Sequence, residues 1–452
     1  MMIKVILLVV FFAVMMGIGV YSRRHATNVS GFVLGGRAVG PWLTAFAYGT
    51  SYFSAVVFVG YAGQFGYKYG LSSTWIGIGN ALLGSLIAWV VLGRRTRIMS
   101  KHLKTMTMPD FFGKRYDSQA LRVAASVITF IFLIPYTASV YNGLSNLFGM
   151  AFDIDFRICV IVMAILTGVY VIIGGYMATA LNDLIQGIIM LFGIVAIIVA
   201  VLNGHGGFLA AVKELAQVES DVMPGAYASF FGPDPLNLLG VVILTSLGTW
   251  GLPQMIQKFY AIKDEKSVHT GTIISTFFAI VVAGGCYFLG GFSRISGVTP
   301  AADGSVAYDT IIPTMLSSLP DILIGITIVL VLSASMSTLS SLVLTSSSTL
   351  TLDFIKPVFM KKMDEFKQLA WMRVLLAFFI VISVVIALDP PAFIAQLMGI
   401  SWGALAGAFL APFLYGLYWK GVTRAAVWAS FICGVGITVA NMFINFIASP
   451  IN

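Results

Sequence analysis

Met336-Ser337-Thr338-Leu339-Ser340-Ser341 lies inside an apolar segment running from Ile324 to Leu352. A segment of that length and hydrophobicity must be covered by lipid or by protein. Hydroxyls at 337, 340 and 341 recur at helical spacing, so Ser337, Ser340 and Ser341 share one face, with Thr338 beside them. A single membrane serine commonly bonds back to the carbonyl one turn earlier. A row of four hydroxyls at such depth has more oxygens than that habit uses, and oxygen ligands suit a hard cation stripped of its water.

Composition sets the surroundings of this segment. Of 452 residues, 59% are hydrophobic and only 10% charged, with a mean hydropathy of +0.96. No water-facing surface could absorb that much apolar area, so the chain reads as a polytopic membrane protein embedded in lipid. Apolar stretches predict about 12 transmembrane helices at 3–21, 42–64, 71–93, 120–148, 157–178, 184–202, 237–257, 270–293, 319–350, 371–388, 393–418 and 425–446. Arg23 and Arg24 follow the first stretch instead of preceding it, which marks a retained span with the N-terminus outside. With that start, 21 of the 26 Lys and Arg fall in inner segments, Lys258, Lys263 and Lys266 among them. The net charge of +8 is therefore a topological signal, and nothing points to nucleic acid.

Two predicted spans are interrupted. The second holds Tyr48-Gly49-Thr50-Ser51-Tyr52-Phe53-Ser54, polar and small residues across its middle. The seventh holds Gly248-Thr249-Trp250-Gly251-Leu252-Pro253-Gln254, where two glycines and a proline lift the backbone out of helix. They are five spans apart, hence oppositely oriented, as matching members of two inverted five-helix repeats would be. Paired broken helices point to a transporter's central site, where freed carbonyls and half-helix ends bind ions and solute without a formal charge. Residues 208–216 carry the pattern of a short amphipathic helix on the outer surface. Three cysteines within spans suggest no disulfide framework, and four histidines in loops or at span ends show no ligand spacing. With no nucleophile, zinc or phosphate-loop motif and no buried acid–base pair, the chain does not read as an enzyme.

The residues now quoted carry a resemblance. Leu34-Gly-Gly-Arg37 with Gly40-Pro41, Ala180-Leu-Asn-Asp183 with Gln186, Pro253, and Met336 to Ser341 followed by Asp353 resemble the sodium:solute symporters, a family that includes bacterial proline, pantothenate, sialic acid and sodium/galactose transporters. The likeness covers residues 1–440 and implies an all-α polytopic membrane protein with a LeuT-like 5+5 inverted repeat and an extra N-terminal helix. Residues 1–22 would be a peripheral first helix, 41–202 the first repeat, 237–418 the second and 423–452 a peripheral last helix. It implies a plasma or inner membrane location and a cargo of Na+ held by the hydroxyls of Ser337 and Thr338 and the carbonyls of Ala334, Thr50 and Phe53. A possible second Na+ site falls on Asp183, Ser337, Ser340 and Ser341.

Asp183 is the acid nearest bilayer depth, at the inner start of the predicted sixth span. It reads either as an ion ligand or exit gate, or as a helix N-terminal cap. The solute pocket, by position, takes Ser51, Tyr52, Ser54, Tyr136, Tyr141, Trp250, Gln254 and Trp402. Tyr52 stands where the proline transporters carry an aspartate, which points away from proline itself. No Arg or Lys is expected at mid-membrane, so an anionic solute would rely on hydroxyls and helix ends. The expected activity is sodium-coupled import of a small organic solute by alternating access, with an amino-acid-like, pantothenate-like or other carboxylate as the solute. A proton-coupled or sodium-independent transporter of the same fold, and a solute sensor without net transport, stay open at this point. The sequence leaves the oligomeric state unknown.

Overall fold

The computed structural model describes residues 2–152, 155–298, 306–389 and 394–448. The described residues form helices of membrane-spanning length and no strand. Two of the apolar helical stretches are far too long for one crossing. Phe156–Gly204 holds 49 residues, about 73 Å if straight, against a hydrocarbon core of about 30 Å. It breaks at Gly175, whose φ of 55° and ψ of −150° only glycine adopts without strain. Val56–His102 likewise breaks at Gly70, with φ 62° and ψ −142°. With both stretches divided, the described residues give twelve helical segments where hydropathy predicts twelve spans, and the fifth and sixth meet at Gly175 instead of near residues 178–184.

The ninth span, Asp321–Thr349, is the hub. Every residue from Leu330 to Thr349 is buried, the pattern of a helix covered on all sides. It packs against the fourth (Gln119–Phe152), fifth and sixth spans, with the second span also against it. The first span, Met2–Ser22, and the last, Arg424–Ala448, turn most of their surface outward. The eighth, Glu265–Gly290, crosses the second at a point where Gly66 and Gly290 meet. A Cβ on either would lie 2.1 Å from a backbone oxygen of the other span. Small residues there let two backbones touch, which is how helices associate without a hydrophobic drive in lipid. Phe208–Ala216 is the expected short helix, with Ala211 and Leu215 buried against the bundle.

The end of the bundle that carries Arg122 and Asp353 is tied by charge. Arg122 at the start of the fourth span donates from Nε to Asp353 Oδ1 at 2.8 Å and lies 3.3 Å from Asp110. Thr107 donates to the other Asp353 oxygen at 2.5 Å. Asp110 belongs to the short inner helix Met108–Arg115, capped by Thr107, so one network joins this helix to the fourth and ninth spans.

Candidate functional site

The second span begins as the helix Pro41–Tyr52 and stops at Phe53, whose φ of −103° and ψ of 81° leave the helical region. Its last regular bond is Phe53 N–H to Gly49 O, at 3.1 Å. The chain resumes at Ser54, whose Oγ accepts from Val56 N–H at 3.2 Å and whose carbonyl accepts from Val57 and Phe58. Ser54 is thus the cap of the second half-helix. A helix that ends leaves its final carbonyls without intrahelical donors, and the Thr50 carbonyl is one of these.

The ninth span meets that carbonyl with both hydroxyls. Ser337 Oγ lies 3.1 Å from Thr50 O and 3.1 Å from Ala334 O. Thr338 Oγ1 lies 3.2 Å and 3.0 Å from the same two oxygens. Four of the five oxygens expected around a sodium ion therefore converge at one point, all from buried residues. Oxygens at about 2.3–2.6 Å from a cation of this size stand about 3–3.6 Å from one another, so the cluster has the spacing of a coordination shell. Rotating two hydroxyl hydrogens away would turn their lone pairs inward. Phe53, the fifth expected ligand, has backbone outside the helical region at the break.

At the next turn of the ninth span the residues are engaged differently. Ser340 Oγ turns back to Ser337 O at 2.9 Å. Ser341 Oγ pairs with Ser51 Oγ at 2.8 Å and accepts from Lys258 Nζ at 2.8 Å. Lys258 Nζ also lies 3.8 Å from Asp183 Oδ2 and 5.3 Å from the ring centre of Tyr176. Asp183 is fully buried eight residues beyond the break at Gly175, so it is no helix cap. Its neighbours Asn182 and Gln186 reach Met15 of the first span.

Lys258 is the residue beside these groups that the sequence reading placed wrongly, as one of three inner-loop lysines. It belongs to Pro253–Ala261, the inner half of the broken seventh span, and is 2% exposed. A cation does lie deep in the bundle, contrary to expectation. The signal was available: Lys258 follows Gln254 by four residues after Pro253, on the same face of that half-helix.

The residues assigned to the solute pocket separate into groups. Tyr52, Tyr136 and Trp402 come together, with the Trp402 ring 6.1 Å from each tyrosine ring. Tyr52 also stacks on Phe53 at 4.3 Å and donates to Thr245 O at 2.6 Å, which ties the two broken spans together. Gly248 lets Trp402 lie against the seventh span, since a Cβ there would sit 3.2 Å from the ring. The Tyr136 hydroxyl faces Ser54 and Trp402, yet it, the Trp402 indole N–H and the Gln254 amide are buried with no hydrogen bond of good geometry among the described residues. Trp250 is engaged elsewhere, donating to Leu83 O at 3.1 Å. Tyr141 follows Tyr136 by five residues, about 140° around the helix, and so faces another side. Ser51 and Ser54 are committed to Ser341 and to the backbone cap.

Helices interrupted in pairs, with neutral oxygens drawn together at one break and buried rings packed beside it, are the arrangement of an ion-coupled membrane transporter. The chain belongs to the sodium:solute symporter family, whose sequence profile matches residues 32–434. It is 32% identical over 451 residues, 96% of this chain and 85% of the relative, to the sodium/proline symporters of Staphylococcus aureus strains JH9 and NCTC 8325 / PS 47. In fold it is similar to a Na+-coupled sialic acid symporter in its substrate-bound outward-open state, with TM-score 0.74 at 15% identity, covering 97% of this chain and 98% of that one. It is also similar to MhsT in complex with L-phenylalanine, with TM-score 0.56 at 14% identity, covering 90% and 98%. These likenesses place the chain among the LeuT-fold transporters, and sodium-coupled solute symport is its activity.

Proposed function

We propose that this chain imports a small organic acid with sodium across the cell membrane by alternating access, its N-terminus outside. The observation that supports this most is the convergence of Ser337 and Thr338 on the Thr50 and Ala334 carbonyls at the break of the second span. Sodium arriving from outside would cross-link that break to the ninth span. The cross-link would hold Phe53 and Tyr52 where they complete the wall of the pocket. One ion gains about 2.3 kcal/mol per 100 mV of membrane potential, and a tenfold sodium gradient adds about 1.4 kcal/mol. A neutral ligand set binds sodium loosely enough to release it inside.

The pocket favours an acid with an apolar body. Tyr136 O–H, Trp402 N–H and the Gln254 amide are neutral donors suited to a carboxylate or carbonyl, while the rings of Tyr52, Tyr136 and Trp402 suit a compact hydrocarbon part. The relatives named for proline put amino acids first among the candidates, and Tyr52, in place of an aspartate, widens the choice to acids without an amine, such as pantothenate. Uptake into proteoliposomes at fixed pH decides this: L-proline, other amino acids, pantothenate and monocarboxylates are offered with sodium or choline outside. Accumulation of one of them only with sodium is expected. Equal uptake in choline, or uptake driven by a pH gradient alone, would overturn the reading.

A further inference from the structure

The second cation position does not fit sodium, because a side chain of the chain itself already lies there. We infer that the ammonium of Lys258 takes the place of a second sodium ion at Asp183 and Ser341, so that one sodium moves with each solute. This rests on the sodium-coupled reading above and adds its stoichiometry and a residue that sets it.

Three observations carry it. Lys258 Nζ donates to Ser341 Oγ at 2.8 Å and lies 3.8 Å from Asp183 Oδ2, so it touches two of the four groups expected around the second ion. Ser341 Oγ, which accepts from that ammonium, is further paired with Ser51 Oγ at 2.8 Å, so this hydroxyl is engaged from two sides before any ion arrives. The lysine is also held in place. Its neighbour Gln257 donates to Val33 O at 2.8 Å and accepts from Thr345 at 2.6 Å, fixing the inner half-helix on both sides. Tyr176, with its ring centre 5.3 Å away, lies near the ammonium as a third wall.

Charge makes the two occupants exclusive. One carboxylate compensates one cation at a buried position, and a sodium ion brought to Asp183 would face the ammonium across a few ångströms of low dielectric. Conversely, removing the ammonium leaves Asp183 buried and unpaired, a state that strongly recruits a cation. The arrangement also gives Lys258 a structural task. It joins the seventh span to the sixth and ninth in every state where those contacts hold, with no ion needed from the medium.

Equilibrium binding of radioactive sodium to the purified full-length protein in nanodiscs counts the sites directly, without any solute. The wild type should bind one equivalent, lost in Thr338→Ala. Lys258→Met, of similar length without the charge, should bind two, the second lost again when Asp183→Asn is added. Lys258→Arg should stay at one. Two equivalents in the wild type would overturn the inference without any variant. A stable Lys258→Met protein that still binds one would overturn it as well. No bound sodium in the wild type would sink the sodium reading itself, and this inference with it.

Discussion

Thr338 Oγ1 stands 3.2 Å from Thr50 O and 3.0 Å from Ala334 O, so one hydroxyl joins residues 288 positions apart across the centre of the bundle. Thr338→Val keeps the shape of the side chain and deletes that oxygen. With one ligand gone, the sodium concentration for half-maximal uptake should rise at least about tenfold, the equivalent of about 1.4 kcal/mol. Thr338→Ser should stay near the wild type. Sodium titration of uptake in proteoliposomes, or of the sodium-induced shift in melting temperature, reads both.

The inner charge network makes a separate prediction about stability. Asp353 is fully buried and receives Arg122 and Thr107, while Arg122 is also shared with Asp110. Removing one partner of a buried pair leaves the other uncompensated, at a cost of about 3–5 kcal/mol. Asp353→Ala should therefore lower the melting temperature clearly more than Asp110→Ala, because Asp110 meets Arg122 at the longer distance and Lys114 at the exposed edge. A fluorescence melting series in one detergent compares them.

Much of this site could be read from the chain, and the reason is local. Hydroxyls in an otherwise apolar run, and Gly, Gly and Pro within seven residues of the seventh span, stand out against their surroundings and mark where a site is to be sought. Lys258 was hidden because its short-range context says the opposite: it stands five and eight residues before Lys263 and Lys266, where basic residues mark the inner surface. Only the depth of Pro253–Ala261 in the bundle separates it from them. The turn between the fifth and sixth spans escaped for a related reason. Apolar residues run on both sides of Gly174 and Gly175, so hydropathy shows no gap, and the positive φ of Gly175 is a property of backbone, not of composition. In the pocket, spacing could not tell that Trp250 and Ser51 were already engaged, since their partners, Leu83 and Ser341, lie on other spans.

Acidity acts on the start of the eighth span. Asp264 is the cap there, accepting from Ser267 N–H at 2.7 Å, and this bond holds its carboxyl below the usual carboxylate range. A folded-state value below the unfolded one means that the cap's contribution is complete above the unfolded pKa of about 3.9. It is lost as pH falls through the folded value. Between pH 7 and 5 the cap should thus add no pH dependence, and below about pH 4 the wild type should lose part of its advantage over Asp264→Ala. Melting temperatures of the two proteins from pH 7 to pH 3 show whether the curves converge at the acid end.

The rings of the proposed pocket would divide their work between shape and hydrogen bonding. The Trp402 ring lies 6.1 Å from those of both Tyr52 and Tyr136, and its N–H, like the Tyr136 hydroxyl, is buried with no hydrogen bond of good geometry among the described residues. A solute that accepts from these donors loses one bond in Tyr136→Phe, with the ring still present. Since a hydrogen bond to a charged group is worth about 1.5–3 kcal/mol, solute affinity should fall about ten- to hundredfold, with sodium affinity in the absence of solute unchanged. Trp402→Phe removes both a donor and part of the wall, so it should lower affinity further and also relax the choice between solutes of different size. Trp250→Phe is the control, because its indole already donates to Leu83 O, and it should alter stability more than solute affinity. Solute binding at saturating sodium, measured for the three variants with the acid found by the uptake screen, ranks them. Were Trp250→Phe to cost more affinity than Tyr136→Phe, the pocket would have to lie on the third-span side of the seventh span.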